Sequence, residues 1–163
     1  MRKIRTYVLL ILTIMWMILI FSMSAKPADE STEISIAVGR IYCELFYPGY
    51  SEMTEDEQLY TAEDIDHPLR KVAHVTEYAV LGTLVSLSAG ELLSDRKKQF
   101  STALIISALY AAADELHQLF VPGRSGEIRD VLIDICGVFI GVLIIAVIVF
   151  CREKKQKKPV QNS

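Results

Sequence analysis

Apolar residues gather into four runs, at 7–22, 75–89, 100–120 and 131–151, separated by stretches rich in charge. A helix needs about 20 mostly apolar residues to cross a bilayer core. The first and fourth runs reach that length once their flanks are included, and VFIGVLIIAVIVF in the fourth carries no charge. The second and third hold ionisable residues at one end and are the weaker spans. The pattern predicts an all-α fold, a polytopic membrane helical bundle of about four transmembrane helices. MRKIR, the apolar run and SMSAK together also have the layout of a secretory leader. The length of that run, with Trp16 inside it, favours a retained helix.

Residues 23–70 form an outer segment too long to be a simple linker. Within STEISIAVGRIYCELF, Ile34, Val38, Ile41 and Leu45 recur at helical spacing, with Ala37, Tyr42 and Phe46 beside them. This predicts an outer amphipathic helix, lying on the membrane or covering the mouth of the bundle. YPGY ends it with a Pro-Gly turn. The acidic stretch that follows is read as a short helix or partly disordered, and Pro68 suits the first turn of the next span.

Charge orients this arrangement. The net charge of −3 hides a strong segregation: basic residues cluster at Arg2–Arg5, Arg96–Lys98 and Arg152–Lys158, while carboxylates crowd Asp29–Asp66. Short flanks rich in Lys and Arg stay on the cytoplasmic side. Four spans then give a multi-pass plasma-membrane protein with both termini cytoplasmic and the acidic segment outside. Residues 1–151 make the membrane domain, and 152–163 a basic cytoplasmic tail suited to anionic lipid. Segregation of this kind points to membrane lipids as partners and not to nucleic acid. Cys43, Cys136 and Cys151 lie at different depths and form neither a disulfide framework nor a metal motif.

Polar residues concentrate at the outer ends of three spans. His74, Glu77 and Tyr78 share a face by i, i+3 and i+4 spacing. Tyr110, Asp114, His117 and Gln118 form a stripe, with Glu115 a quarter-turn away. Asp130, Asp134, Gly137 and Gly141 run along one face of the fourth span, from carboxylates into glycines that permit close helix approach. Carboxylates at that depth cost several kcal/mol without partners, so Arg70, Lys71, Arg124 or Arg129 are the expected counter-ions. The loop VPGRSGE makes the third and fourth spans antiparallel neighbours, with Arg124 at its tip suited to an anionic head group. The candidates for chemistry are His74, Glu77, Asp114, His117, Asp130 and Asp134, and those for ligand binding are Lys71, Gln118, Arg124 and Arg129. The plain alternative is a set of salt bridges that pin three helices together.

RKVAHVTEYAVLG (70–82) and DELHQLFVPGRSGEIRDVLIDICG (114–137), with FSMSAKP (21–27) as a weaker element, resemble the VanZ family of small membrane proteins. The family's namesake is associated with low-level resistance to the glycopeptide teicoplanin, by a route that does not rebuild the peptidoglycan precursor terminus. The resemblance implies a cell-envelope role but assigns neither a reaction nor a cofactor. Three functions fit the residues. In the first, an outward polar pocket binds a lipid head group, a lipid-linked cell-wall precursor or an envelope protein. In the second, an intramembrane hydrolase or transferase acts on a lipid-linked substrate, with His117 as base or ligand and Arg124 as head-group clamp. No HExxH or other metal motif occurs in the chain, and no metal is assigned. The third, a transporter, is disfavoured because the polar residues stop at one end.

Overall fold

The computed structural model describes residues 2–156. The described chain is all-helical: α1 (Arg2–Ser24), α2 (Ala28–Phe46), a 3-10 turn at Tyr50–Glu52, α3 (Glu55–Asp64), α4 (Asp66–Leu92), α5 (Arg96–Gln118) and α6 (Ile128–Gln156). Most helices outrun the apolar runs because their polar ends continue the same backbone pattern. α5 is the exception and stops at Gln118, where Pro122 and Gly123 (φ 74°) turn the chain. α6 carries the helix into the basic tail as far as Gln156; positions 157–163 of that tail lie outside the described residues.

The acidic stretch after YPGY folds as α3. Thr54 and Glu57 form a reciprocal capping box, and Glu55, Asp56 and Glu57 all sit in the first turn. Negative charge there complements the helix dipole, which is why so acidic a segment is helical. α2 packs on α3 through Gly39, where an added Cβ would lie 3.2 Å from the Ala62 carbonyl oxygen. Ser35 donates to the Asp66 carboxylate, and Arg70 reaches both Asp66 (2.5 Å) and Thr32 (3.3 Å), tying α2 to the start of α4.

α4 is the central helix, flanked by α1, α5 and α6. Tyr78, Leu81 and Val85 of α4 meet Val138 and Val142 of α6, Ala103 and Ala111 of α5 and Ile20 of α1. Lipid tails are as apolar as leucine, so helix association in a membrane depends on close packing and on interhelical hydrogen bonds. Both are present. Trp16 Nε1 donates to the Glu77 carbonyl (2.9 Å), Tyr110 Oη to the Met17 carbonyl (2.6 Å) and Gln99 Nε2 to the Ser86 carbonyl (3.0 Å). Thr13 and Ser88 hydroxyls pair at 3.0 Å.

Large apolar side chains cover the outside, among them Ile11, Met15 and Ile18 of α1 and Phe139, Leu143 and Phe150 of α6. An apolar surface around a core that holds buried serine and carboxylate groups is the arrangement of a protein solvated by lipid. Among the described residues, three helices, α1, α4 and α6, are long and apolar enough to cross a membrane. Length and composition thus support three of the about four spans expected. α5 falls short because Arg96, Lys97 and Lys98 load one end and Asp114 and Glu115 the other. It nevertheless packs within the bundle against α4 and α6.

Candidate functional site

Two ends of the bundle differ sharply. At one, Arg5 pairs with Glu91 and Arg96 with Glu153 (3.0 Å), joining the start of α1, the α4–α5 turn and the end of α6. The other end collects the end of α1, the starts of α4 and α6, the end of α5 and the α5–α6 loop, and it holds most of the candidate residues.

Asp134 lies at its centre with no exposed surface. Its neighbour is none of the expected arginines and lysines: His74 Nδ1 stands 3.4 Å from Asp134 Oδ1. Lys71 is instead bound to Asp130, one turn nearer the end. The two contacts follow from the close approach of α4 and α6. Positions 71 and 74 rise about 4.5 Å along one helix and 130 and 134 about 6 Å along the other, each close to one turn, so the partners match in pairs.

Asp114 and Glu115 are both buried, each 4 % exposed. The Gln118 amide donates to both, at 3.3 Å and 3.2 Å, and the Glu127 backbone N–H donates to Glu115 (3.3 Å). The quarter-turn that separates Glu115 from the α5 stripe therefore takes it into the bundle, toward the start of α6. A single helical wheel misses this because α5 is covered on two sides, by α4 and by α6. Arg124 turns back from the loop and donates to the Lys26 carbonyl (3.0 Å), the Met23 carbonyl (3.3 Å) and Gln118 Oε1 (3.5 Å). Burial, and after it the charge of Arg70, lower the Arg124 pKa from the usual arginine value. The Ala28 N–H, first in α2, donates to the Pro122 carbonyl (3.1 Å), so loop and α2 are fastened together.

Two cavities open here. One of about 300 Å³ is bordered by Lys71, His74, Gln118, Arg124, Arg129, Asp130 and Asp134 among others. All of the candidate ligand-binding residues thus face one space. A second, of about 240 Å³, reaches Glu77 and Asp114 and shares Arg70, His74 and Arg124 with the first. His117 borders neither; its ring lies against Phe21 of α1, centroids 4.5 Å apart. Among the described residues, no three His, Cys, Asp or Glu side chains converge as a metal site. Ser24, in the FSMSAKP element, is not among the candidate residues. Ser22 is exposed and bonded to its own helix, whereas Ser24 is buried and borders the second cavity.

The order of these motifs along the chain has a counterpart in a family profile, that of VanZ/LLP1, which matches residues 9–150. The chain belongs to the VanZ/LLP1 family. No curated protein and no solved structure matches it. The match spans α1 through nearly all of α6, so both cavities lie within the VanZ/LLP1 region.

The Arg124 contacts carry a prediction. Arg124→Ala removes three charge-assisted or polar bonds that join the loop to the end of α1 and to Gln118, at a cost of about 2 kcal/mol. Limited proteolysis in detergent is expected to cut near residues 119–127 faster than in the unaltered protein. Unchanged cleavage would show that the loop is held by other means.

Proposed function

We propose that this VanZ/LLP1 protein is a multi-pass plasma-membrane protein whose polar end faces outward and binds the charged part of an envelope ligand. The ligand is a lipid-linked cell-wall precursor or an envelope protein, and its capture contributes to teicoplanin-type glycopeptide resistance. The observation that carries this reading is the larger cavity, where Lys71, Arg124 and Arg129 meet Asp130, Asp134, His74 and Gln118. Guanidinium and ammonium groups around a concave space favour phosphate or carboxylate. The opposite end of the bundle supports the orientation, since Arg5 and Arg96 lie there with the basic end of α6. In this topology α5 is the fourth crossing: its 23 residues give a rise of about 35 Å, enough for the hydrocarbon core.

Expression in a teicoplanin-susceptible Gram-positive host tests the reading. The unaltered chain is expected to raise the inhibitory concentration and lower surface labelling by fluorescent teicoplanin. The double substitution Lys71→Ala/Arg129→Ala is expected to abolish both effects at equal membrane abundance. Resistance that persists without those charges, or never appears with the unaltered chain, refutes it.

A hydrolase or transferase acting on a lipid-linked substrate is the second reading. It is favoured by the His74–Asp134 contact, an imidazole beside a buried carboxylate that orients it. Here His74 replaces His117 as the base. Product analysis after incubating the purified protein with labelled lipid-linked precursor separates this from simple binding.

A further inference from the structure

The smaller cavity has an apolar wall that the larger lacks. It lies between the end of α1, the first half of α2 and the first turns of α4. One wall is apolar, with Ile20, Met23, Ile34, Val38, Leu69 and Ala73; the other carries Ser24, Arg70, Glu77, Asp114 and Arg124. Four buried polar atoms bordering the cavity have no hydrogen-bond partner: Ser24 Oγ, Arg70 Nε, Asp114 Oδ1 and His74 Nδ1, the last of which stands 3.4 Å from Asp134. Ser24 and Asp114 are only 5 % and 4 % exposed. Buried polar groups are nearly always satisfied, so several orphans bordering one space indicate a missing partner. That partner must accept from a hydroxyl and a guanidinium and also donate to a carboxylate.

The apolar wall shows where it enters. Met23, Ile34 and Val38 border the cavity and are also exposed on its outer side. Ile41 and Leu45 continue this apolar strip along α2. An opening beside exposed apolar side chains suits a ligand that carries hydrocarbon. Ligand sites that enclose a whole drug-sized molecule run from roughly 300 to 1,000 Å³, and about 240 Å³ is short of that. The volume suits a head group, with hydrocarbon tails left outside against α2.

We propose that this cavity binds the head group of a phospholipid that carries both a phosphate and a primary amine. The phosphate accepts from Arg70 Nε, Arg124 and Ser24 Oγ. The ammonium donates to Asp114 Oδ1 and Glu77, and the acyl chains lie along Met23, Ile34 and Val38. The proposal rests on the same end of the bundle being a ligand site, but it concerns a separate space. Phospholipid titration reads that space whatever the glycopeptide assay returns.

Trp16 provides the signal. It is the only tryptophan in the chain, and its indole donates to the carbonyl of Glu77, whose side chain borders the cavity. The purified full chain in detergent is titrated with dihexanoyl-phosphatidylethanolamine, dihexanoyl-phosphatidylcholine and phosphoethanolamine while Trp16 emission is followed. Phosphatidylethanolamine is expected to bind saturably and about tenfold tighter than phosphatidylcholine, whose quaternary ammonium has no N–H to give Asp114. Phosphoethanolamine, without tails, is expected to bind more weakly than the lipid. Asp114→Asn keeps the shape of the side chain and is expected to erase the preference for ethanolamine over choline; Glu77→Gln is expected to reduce it. Equal binding of the two lipids overturns the proposal, as does a preference that survives Asp114→Asn. Free phosphoethanolamine binding as tightly as the lipid overturns the role of the tails. Where Asp114→Asn does not fold, the comparison of ligands on the unaltered protein decides alone.

Discussion

Gly141→Leu is expected to destabilise the bundle by roughly 3 kcal/mol and to pull α4 away from α6. A Cβ at position 141 would stand 2.0 Å from the Ala79 carbonyl oxygen and 2.9 Å from the Thr83 nitrogen, both backbone atoms that no rotamer change can move. One turn earlier, a Cβ on Gly137 would lie 2.4 Å from the Val75 carbonyl oxygen, and across the interface one on Gly82 would lie 2.6 Å from that of Val138. The helices therefore touch backbone to backbone along two turns, and only the absence of side chains permits it. Ile144→Leu, on an exposed position of the same helix, is the control and is expected to change stability little. Thermal unfolding in detergent, followed by circular dichroism, compares the two. A Gly141→Leu protein as stable as the parent would mean that the close approach contributes nothing to the fold.

His74→Leu has the second large effect expected, for an electrostatic reason. It leaves Asp134 fully buried without the imidazole that stands 3.4 Å from it. Removing one member of a buried pair typically costs about 3–5 kcal/mol, whereas replacing both by apolar groups is often neutral or stabilising. The double variant His74→Leu/Asp134→Leu is accordingly expected to recover most of the stability lost in the single one. The same double variant is expected to lose the glycopeptide phenotype proposed above. If stability and phenotype return together, the pair is a structural fastening and takes no part in ligand capture. If the double variant is no more stable than His74→Leu, the carboxylate has partners beyond the imidazole.

The helical bundle was legible because its signals are local. Apolar length marks α1 and α6, and the spacing of Gly137 and Gly141 marks the face that α4 meets. The charges that weaken the third run also explain why α5 is missing from the helices apolar enough to span. Pairing was less legible. Sequence spacing placed His74 and Asp134 each on the correct face, but it had no means of matching Lys71 to Asp130 in place of Asp134. That match is set by the depth at which the glycines let α4 and α6 cross. Glu115 illustrates the same limit: a helical wheel has one inside, whereas a helix packed against two neighbours has a wider one. His117, the most conspicuous residue of its stripe, lies against Phe21 because α1 crosses that side of α5, a fact of tertiary arrangement alone.

The pairing of α4 with α6 also has a consequence for how the chain is made. Proteins are synthesised from the N-terminus, so Lys71 and His74 emerge about 60 residues before Asp130 and Asp134 reach them. Over that interval α4 holds its polar first turns without their acids, and Asp114 and Glu115 arrive while the Glu127 amide is still to come. A basic or acidic side chain left alone at membrane depth is costly, which keeps the polar ends of α4 and α5 near the water until α6 enters. The arrival of α6 thus draws the site shut, and a chain halted before it lacks the partners of Lys71, His74 and Glu115 at the end where its ligand would bind.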